Sequence, residues 1–233
     1  MIKISKGGPF EIVKTAQFAS IQLSRLRCHG PDAVSRSQRF MATKTSFKDL
    51  DLKIGFTAKV ELHGESDKLY VSQIQVSSED DSVTRQVCSG LRDHLSKQEL
   101  ENKLVVVVDN LKKCKLRGVA SEAMVLCADD GQNKVQLCRP LAFDRDLTGS
   151  RIVLALNDQN ELTKPGKLKR SQWDQIRSGL RVGAGKPLSV DTTIRDVTYR
   201  DPETGQESCL GIRKNGNWIP IVVENMAPGT EIK

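Results

Sequence analysis

Residues 53–76, KIGFTAKVELHGESDKLYVSQIQV, read as two half-buried strands joined by a turn. Lys53–His63 and Leu69–Val76 alternate apolar and polar positions, with Tyr70, Ser72, Ile74 and Val76 on one face and Val71, Gln73 and Gln75 on the other. Between them Gly64-Glu65-Ser66-Asp67 is turn chemistry, so the pair forms a hairpin. Val83 to Cys88 adds a third strand that stops at Ser89-Gly90. Ser96, followed three residues later by Glu99, has capping-box spacing and opens a short helix. Leu104-Val105-Val106-Val107-Val108 is too short and too β-branched for a helix and reads as a buried strand. Ala123–Ala128 and Lys134–Cys138 follow as strands across the Asp129-Asp130-Gly131 turn. Strands interrupted by one short helix predict an all-β-dominated chain built on an OB-type Greek-key barrel. A β-sandwich is the alternative.

Downstream, Thr163-Lys164-Pro165-Gly166-Lys167-Leu168-Lys169-Arg170 reads as a basic connector. It leads to a short helix with Trp173, Ile176 and Leu180 on one face. Thr192–Tyr199, Ser208–Ile212 and Trp218–Val223 are β-prone, and Asn215-Gly216 between the last two is a hairpin signal. This tail holds too few large apolar groups for an independent domain, so it is expected to pack on the barrel. Three regions result: a basic N-terminal extension over 1–45, an OB-fold domain over 46–156 and a smaller, mainly β C-terminal domain over 157–233.

The formal charge of +7 on 233 residues is unevenly placed. Residues 1–45 hold eight basic and two acidic residues, and so carry +6 of it. The body is nearly neutral, and a nucleic-acid claim must rest on local patches. The amphipathic, acid-poor, Arg- and Ser-rich leader has the composition of an organelle transit peptide. An unstructured extension, or a start at Met41, stays equally open. The longest strongly apolar run, Leu104–Val108, is far short of a helical bilayer span, so no membrane partner is expected. The six cysteines contain no Cys-x-x-Cys pair and the three histidines are dispersed. Zinc spacing is absent, and reduced thiols are expected without metal or cofactor.

Chemistry concentrates in Asn110-Leu111-Lys112-Lys113-Cys114-Lys115-Leu116-Arg117-Gly118, four positive charges within six residues, directly after the buried strand. Several donors on one loop suit phosphate contacts, although such a run is more commonly a solvated edge. In Ser121-Glu122-Ala123-Met124 a hydroxyl and a thioether stand three residues apart, able to meet a phosphate and a base face, or equally a turn and a core. Nucleophile triads and phosphate-binding glycine loops are absent, and Asp93-His94 is at most a weak dyad. No catalytic residue is assigned. Aromatics make up only 4%, with Tyr70 and Phe56 as the available stacking candidates, so phosphate and shape contacts should outweigh stacking.

Five stretches occur in the order of a known family: Asp51-Leu52-Lys53-Ile54-Gly55; His63-Gly64-Glu65-Ser66-Asp67-Lys68-Leu69-Tyr70-Val71; Arg85-Gln86-Val87-Cys88-Ser89-Gly90-Leu91; Asn110-Leu111-Lys112; and Arg117 through Leu126. Over residues 49–155 the chain resembles the tRNA-binding domain family. That family includes the bacterial stand-alone tRNA-binding protein, C-terminal domains of some methionyl- and tyrosyl-tRNA synthetases, endothelial-monocyte-activating polypeptide II and the fungal aminoacylation cofactor. The tail, with Trp173-Asp174-Gln175-Ile176 and Glu231-Ile232-Lys233, resembles the second domain of the eukaryotic branch. Two departures are visible. Gly64 follows His63 where the family has proline, and Lys113 takes the place of the proline in the basic loop.

The resemblance implies a non-catalytic tRNA-binding protein that acts as a cofactor for an aminoacyl-tRNA synthetase. It implies RNA contacts from Arg85, Ser89, Asn110, Lys112, Lys113, Lys115, Arg117, Ser121 and Met124. It further implies a monomer whose C-terminal domain mimics the dimer interface of the bacterial homodimer. A cytoplasmic location is expected, or a mitochondrial one if residues 1–45 are a transit peptide. The alternative function is a protein-interaction or signalling module of the same fold that no longer binds RNA.

Overall fold

The computed structural model describes residues 45–156, 164–185 and 193–233, so the basic extension up to residue 44 lies outside the described residues. The first half runs β1 (Leu52–Leu62), β2 (Tyr70–Gln75), β3 (Thr84–Ser89), α1 (Lys97–Leu100), β4 (Leu104–Val108), β5 (Cys114–Leu116), β6 (Val119–Ser121), β7 (Met124–Val125), β8 (Cys127–Asp129), β9 (Val135–Leu137), β10 (Arg139–Pro140) and β11 (Val153–Leu154). The second half adds α2 (Arg170–Arg177), β12 (Leu180–Val182), β13 (Ile194–Arg200), β14 (Glu207–Lys214), β15 (Asn217–Glu224) and β16 (Glu231–Ile232). The chain is all-β in character, and its sheets curl into nearly closed barrels. Among the described residues no helix is long and apolar enough to cross a membrane.

One sheet has the order β3-β2-β1-β4-β7, the second runs β10-β15-β14-β13-β12-β16-β8-β9 with β11 beside β14, and β5-β6 is a separate ribbon. The expected hairpin is β1–β2, paired from Leu62↔Tyr70 to Phe56↔Gln75. Its register slips between Thr57 and Lys59. Because side chains alternate with period two, the slip moves the inward set to the other face. Leu52, Ile54 and Phe56 before it therefore point into one core and Val60 after it into another.

β4 explains why its five residues are all apolar. Leu104, Val106 and Val108 enter the larger core, while Val105 and Val107 enter the barrel interior beside Ile74, Val87 and Leu100. A strand buried on both faces has no polar side to show. Between the faces Gly55 is required: a Cβ there would stand 2.5 Å from Ile74 Cγ2 and 2.8 Å from Val107 Cγ2.

The larger core is shared. Leu52, Ile54, Val106 and Leu126 pack with Trp173, Ile176, Leu210, Ile221 and Ile232 in one cluster. Backbone ladders cross the same seam, β10 to β15 through Arg139↔Val222 and β16 to β8 through Ile232↔Ala128. Residues 42–233 accordingly form one unit, across the boundary expected at 156.

Several expectations are refined. The strand expected over Ala123–Ala128 breaks at Leu126, where the backbone passes from one sheet to the other; β7 pairs with β4 while β8 pairs with β9 and β16. Leu180 is not on the helix. α2 ends at Arg177, and Gly179 turns the chain so closely against Tyr199 and Arg200 that a Cβ would meet the Arg200 carbonyl at 2.4 Å. Leu180 then begins β12, still within the shared core. The Ser96 capping box forms, with Glu99 accepting from the Ser96 amide at 2.8 Å and from its hydroxyl at 2.7 Å. The hairpin at Asn215-Gly216 forms with both residues at positive φ.

Candidate nucleic-acid interface

Asn110 organises the site from beneath. Only 3% exposed, its side chain accepts the Asp51 amide at 3.0 Å and donates to the carbonyls of Asp49 at 2.7 Å and Gly166 at 2.8 Å. The Leu168 amide then donates to the Asn110 carbonyl at 2.8 Å, and Leu111 and Leu168 pair in parallel. Two segments far apart in sequence, the basic loop and the lead-in to α2, are thus held side by side. The Asn110 amide is fully engaged by the scaffold, and through these bonds it positions the basic loop.

Beyond it the loop turns into the β5–β6 ribbon, where Lys112, Lys113, Lys115 and Arg117 are all exposed. Arg117 and Gly118 make the tip with φ of 46° and 83°. His63 braces this ribbon from the β1–β2 turn. Its Nδ1 accepts the Glu65 amide at 3.0 Å, which leaves the ring proton on Nε2 to donate to the Leu116 carbonyl at 3.3 Å. Lys112, Lys115 and Arg117 make no ion pair among the described residues, whereas Lys113 is held by Glu122. The hydrogen bond from Lys113 holds the Glu122 carboxyl below its ordinary pKa, against a smaller opposing effect of burial.

Glu122 is therefore an internal counter-charge to Lys113, with which any phosphate approaching that lysine would compete. Glu122→Gln keeps an acceptor for the Gln86 amide at 3.2 Å but frees Lys113. It is expected to tighten RNA binding about two- to five-fold, the worth of an exposed ion pair. Titration of labelled tRNA at fixed salt measures this, and unchanged or weaker binding would remove Lys113 from the interface.

The remaining expected residues separate into two groups. Ser89 and Met124 line a cleft together with Lys112, Lys113 and Ser121. Ser121 is 5% exposed, and its hydroxyl accepts the Cys88 amide and donates to the Ala123 carbonyl, both at 3.1 Å, so it serves the wall of the cleft. Arg85 does not line the cleft. Its Nε donates to Asp109 Oδ1 at 2.6 Å, and Lys53 Nζ donates to Asp109 Oδ2 at 2.7 Å. Neither stacking candidate is available: Phe56 and Tyr70 are core residues, with the Tyr70 hydroxyl donating to the Leu95 carbonyl at 3.1 Å. His94 contacts the Asn133 carbonyl at 3.2 Å through Nδ1, so it forms no dyad with Asp93, whose carboxylate faces Lys68 at 3.8 Å.

The cleft, of about 680 Å³, is lined by barrel residues and by α2. α2 contributes Arg170, expected in a connector, Trp173, expected on a core face, and Arg177, which the sequence reading did not single out. Their signal was the basic stretch running into the Trp-bearing helix; what it lacked was the Asn110–Gly166 contact that swings it beside the loop. The five described cysteines are free thiols. Burial pushes the Cys127 thiol, in the cleft wall, up to about 12, which leaves it protonated and unreactive at neutral pH.

Comparison with known proteins agrees with this geometry. Residues 52–144 match the family described as "Putative tRNA binding domain". The cytoplasmic methionine–tRNA ligase of Caenorhabditis elegans is 35% identical over 148 residues, covering 60% of this chain and 15% of that protein. The aminoacyl tRNA synthase complex-interacting multifunctional protein 1 of Mus musculus is 35% identical over 135 residues, covering 58% of this chain and 41% of that protein. The chain thus spans less than half the length of either relative. Among solved structures, the C-terminal domain of Plasmodium vivax p43 superposes with a TM-score of 0.61 at 26% identity, over 82% of this chain and all of that one. Residues 52–144, which carry the basic ribbon and the barrel part of the cleft lining, are thus the part of the chain that matches the tRNA-binding domain family.

Proposed function

We propose that this chain is a non-catalytic tRNA-binding module that serves as a cofactor of an aminoacyl-tRNA synthetase in the cytoplasm. The observation that carries this reading is the row of exposed cations, Lys112, Lys115 and Arg117, without an ion pair among the described residues, displayed by the ribbon next to a cleft in a segment that matches the tRNA-binding family. Phosphate neutralisation by such a row gives affinity without sequence readout, so many tRNAs of one shape should bind alike. A module of this kind acts by raising the local concentration of tRNA at its partner. The shared core supports a monomer in which residues 157–233 cover the face that a simpler barrel would use to dimerise.

Titration of folded tRNA at several salt concentrations tests the reading. Replacing Lys112 and Arg117 by alanine is expected to weaken binding for all tRNAs alike and to flatten the slope of log K against log salt by about 1–2. Added to a synthetase at limiting tRNA, the intact chain is expected to lower KM and leave kcat unchanged. A chain that shifts no tRNA at low salt would instead be a protein-interaction module of the same fold.

A further inference from the structure

The cleft has a chemical character that phosphate binding alone does not require. Its floor is apolar, formed by Val87, Leu91, Leu111, Met124, Val135 and Trp173. Its rim is cationic, with Lys112 on the basic loop and Arg170 and Arg177 on α2, and these three have no carboxylate partner among the described residues. The carboxylates in the lining are Asp129, held by Lys233 at 3.1 Å, and Asp174. A ligand complementary to both parts has a flat apolar face and an attached anion. The volume is within the range of about 300–1,000 Å³ usual for clefts that enclose a small ligand.

We infer that the cleft receives one unpaired nucleobase of the bound RNA, with the adjoining phosphate held between Lys112 and the two arginines of α2. The inference rests on the tRNA-binding reading and gives it a specific consequence. A phosphate row tracks any folded RNA, but a base slot admits only RNA with an unstacked nucleotide at the right place. The half-buried thioether of Met124 supplies a deformable face for the base. The Ser89 hydroxyl, at the end of β3 and without a hydrogen-bond partner among the described residues, is available to a base edge. Because the lining draws on both the barrel and α2, the slot is complete only when both halves of the chain are present.

The experiment uses the full chain and two RNA hairpins of equal length and charge. One carries 2-aminopurine at an unpaired loop position, and the other carries it in a fully paired stem capped by a minimal loop. The loop probe is expected to change its fluorescence on binding, the stem probe to stay silent, and the looped RNA to bind about 5- to 150-fold tighter, the range one stacked base contributes. Met124→Ala is expected to reduce that preference and to weaken the fluorescence change of the loop probe. If this variant fails to fold, the wild-type titration decides alone. Equal, salt-sensitive binding of both hairpins with a silent loop probe would overturn the base slot and leave the tRNA-binding reading standing. Absence of any binding at low salt would overturn both.

Discussion

A chain ending at Leu156 is expected to self-associate and to lose most of its tRNA affinity. Removing residues 157–233 strips Leu168, Trp173, Ile176, Leu210, Ile221 and Ile232 from the shared core and leaves Leu52, Ile54, Val106 and Leu126 facing water. A contiguous apolar face of this kind drives association. Arg170 and Arg177 go with it, so the cleft loses part of its lining and the salt slope should fall by a further ~1–2. Light scattering of both forms at matched concentration, with tRNA titrated alongside, reads both effects. A shortened chain that stayed monomeric and bound tRNA at full strength would show that the second half is an accessory.

The second large effect is expected at Asp109. Its carboxylate, with 2% of the side chain exposed, holds Lys53 and Arg85 together across three strand ends. Burial by itself would raise its pKa, but hydrogen bonds from Arg85 and Lys53, together with their charges, hold it below the ordinary value. A carboxyl with a depressed folded-state pKa stabilises fully above its unfolded pKa of ~3.9, and that stabilisation is lost as pH falls through the folded value. Asp109→Ala at neutral pH leaves Arg85 without its carboxylate and Lys53 with Asp51 alone, at 3.2 Å, and should cost about 3 kcal/mol. That is the low end for a broken buried pair, since Lys53 and Arg85 keep 19% and 28% of their side chains in water. For a chain of this size the loss corresponds to a drop in Tm of roughly 6–12 °C. Thermal melts of wild type and Asp109→Asn between pH 2 and 7 should converge at the acid end. Parallel curves across the whole range would remove the carboxylate as their source.

The parts of this fold that were legible in the sequence are those set by nearest neighbours. β4 announced itself by five apolar residues and the β14–β15 hairpin by Asn215-Gly216, because burial on both faces and positive φ each leave a local mark. The β5–β6 ribbon left none. Its tip places Arg117 at φ 46°, a conformation that an arginine does not advertise, and its strands are too short for alternation to register. Leu180 kept helical spacing with Trp173 and Ile176 although Gly179 had already turned the chain. The site divides in the same way. The exposed cations Lys112, Lys115 and Arg117 could be found by charge, and Met124 by its spacing from Ser121. The roles of Asn110 and Arg85 depend on Gly166 and Asp109, partners 56 and 24 residues away, which no window along the chain contains.

The shared core also sets a timetable for the nascent chain. Ile54 and Val106 share their cluster with Ile221 and Ile232, which are among the last residues to be made. From Leu154 to Ile232 the ribosome must add 78 residues. At a synthesis rate of about 5–20 residues per second, that interval lasts roughly 4–16 s. For those seconds the barrel is present with one apolar wall bare, the kind of surface that chaperones bind and that neighbouring nascent chains on a polysome would find in each other. Slowing elongation within codons 157–232 lengthens that window, so synonymous changes there should lower the yield of folded protein without altering a single side chain.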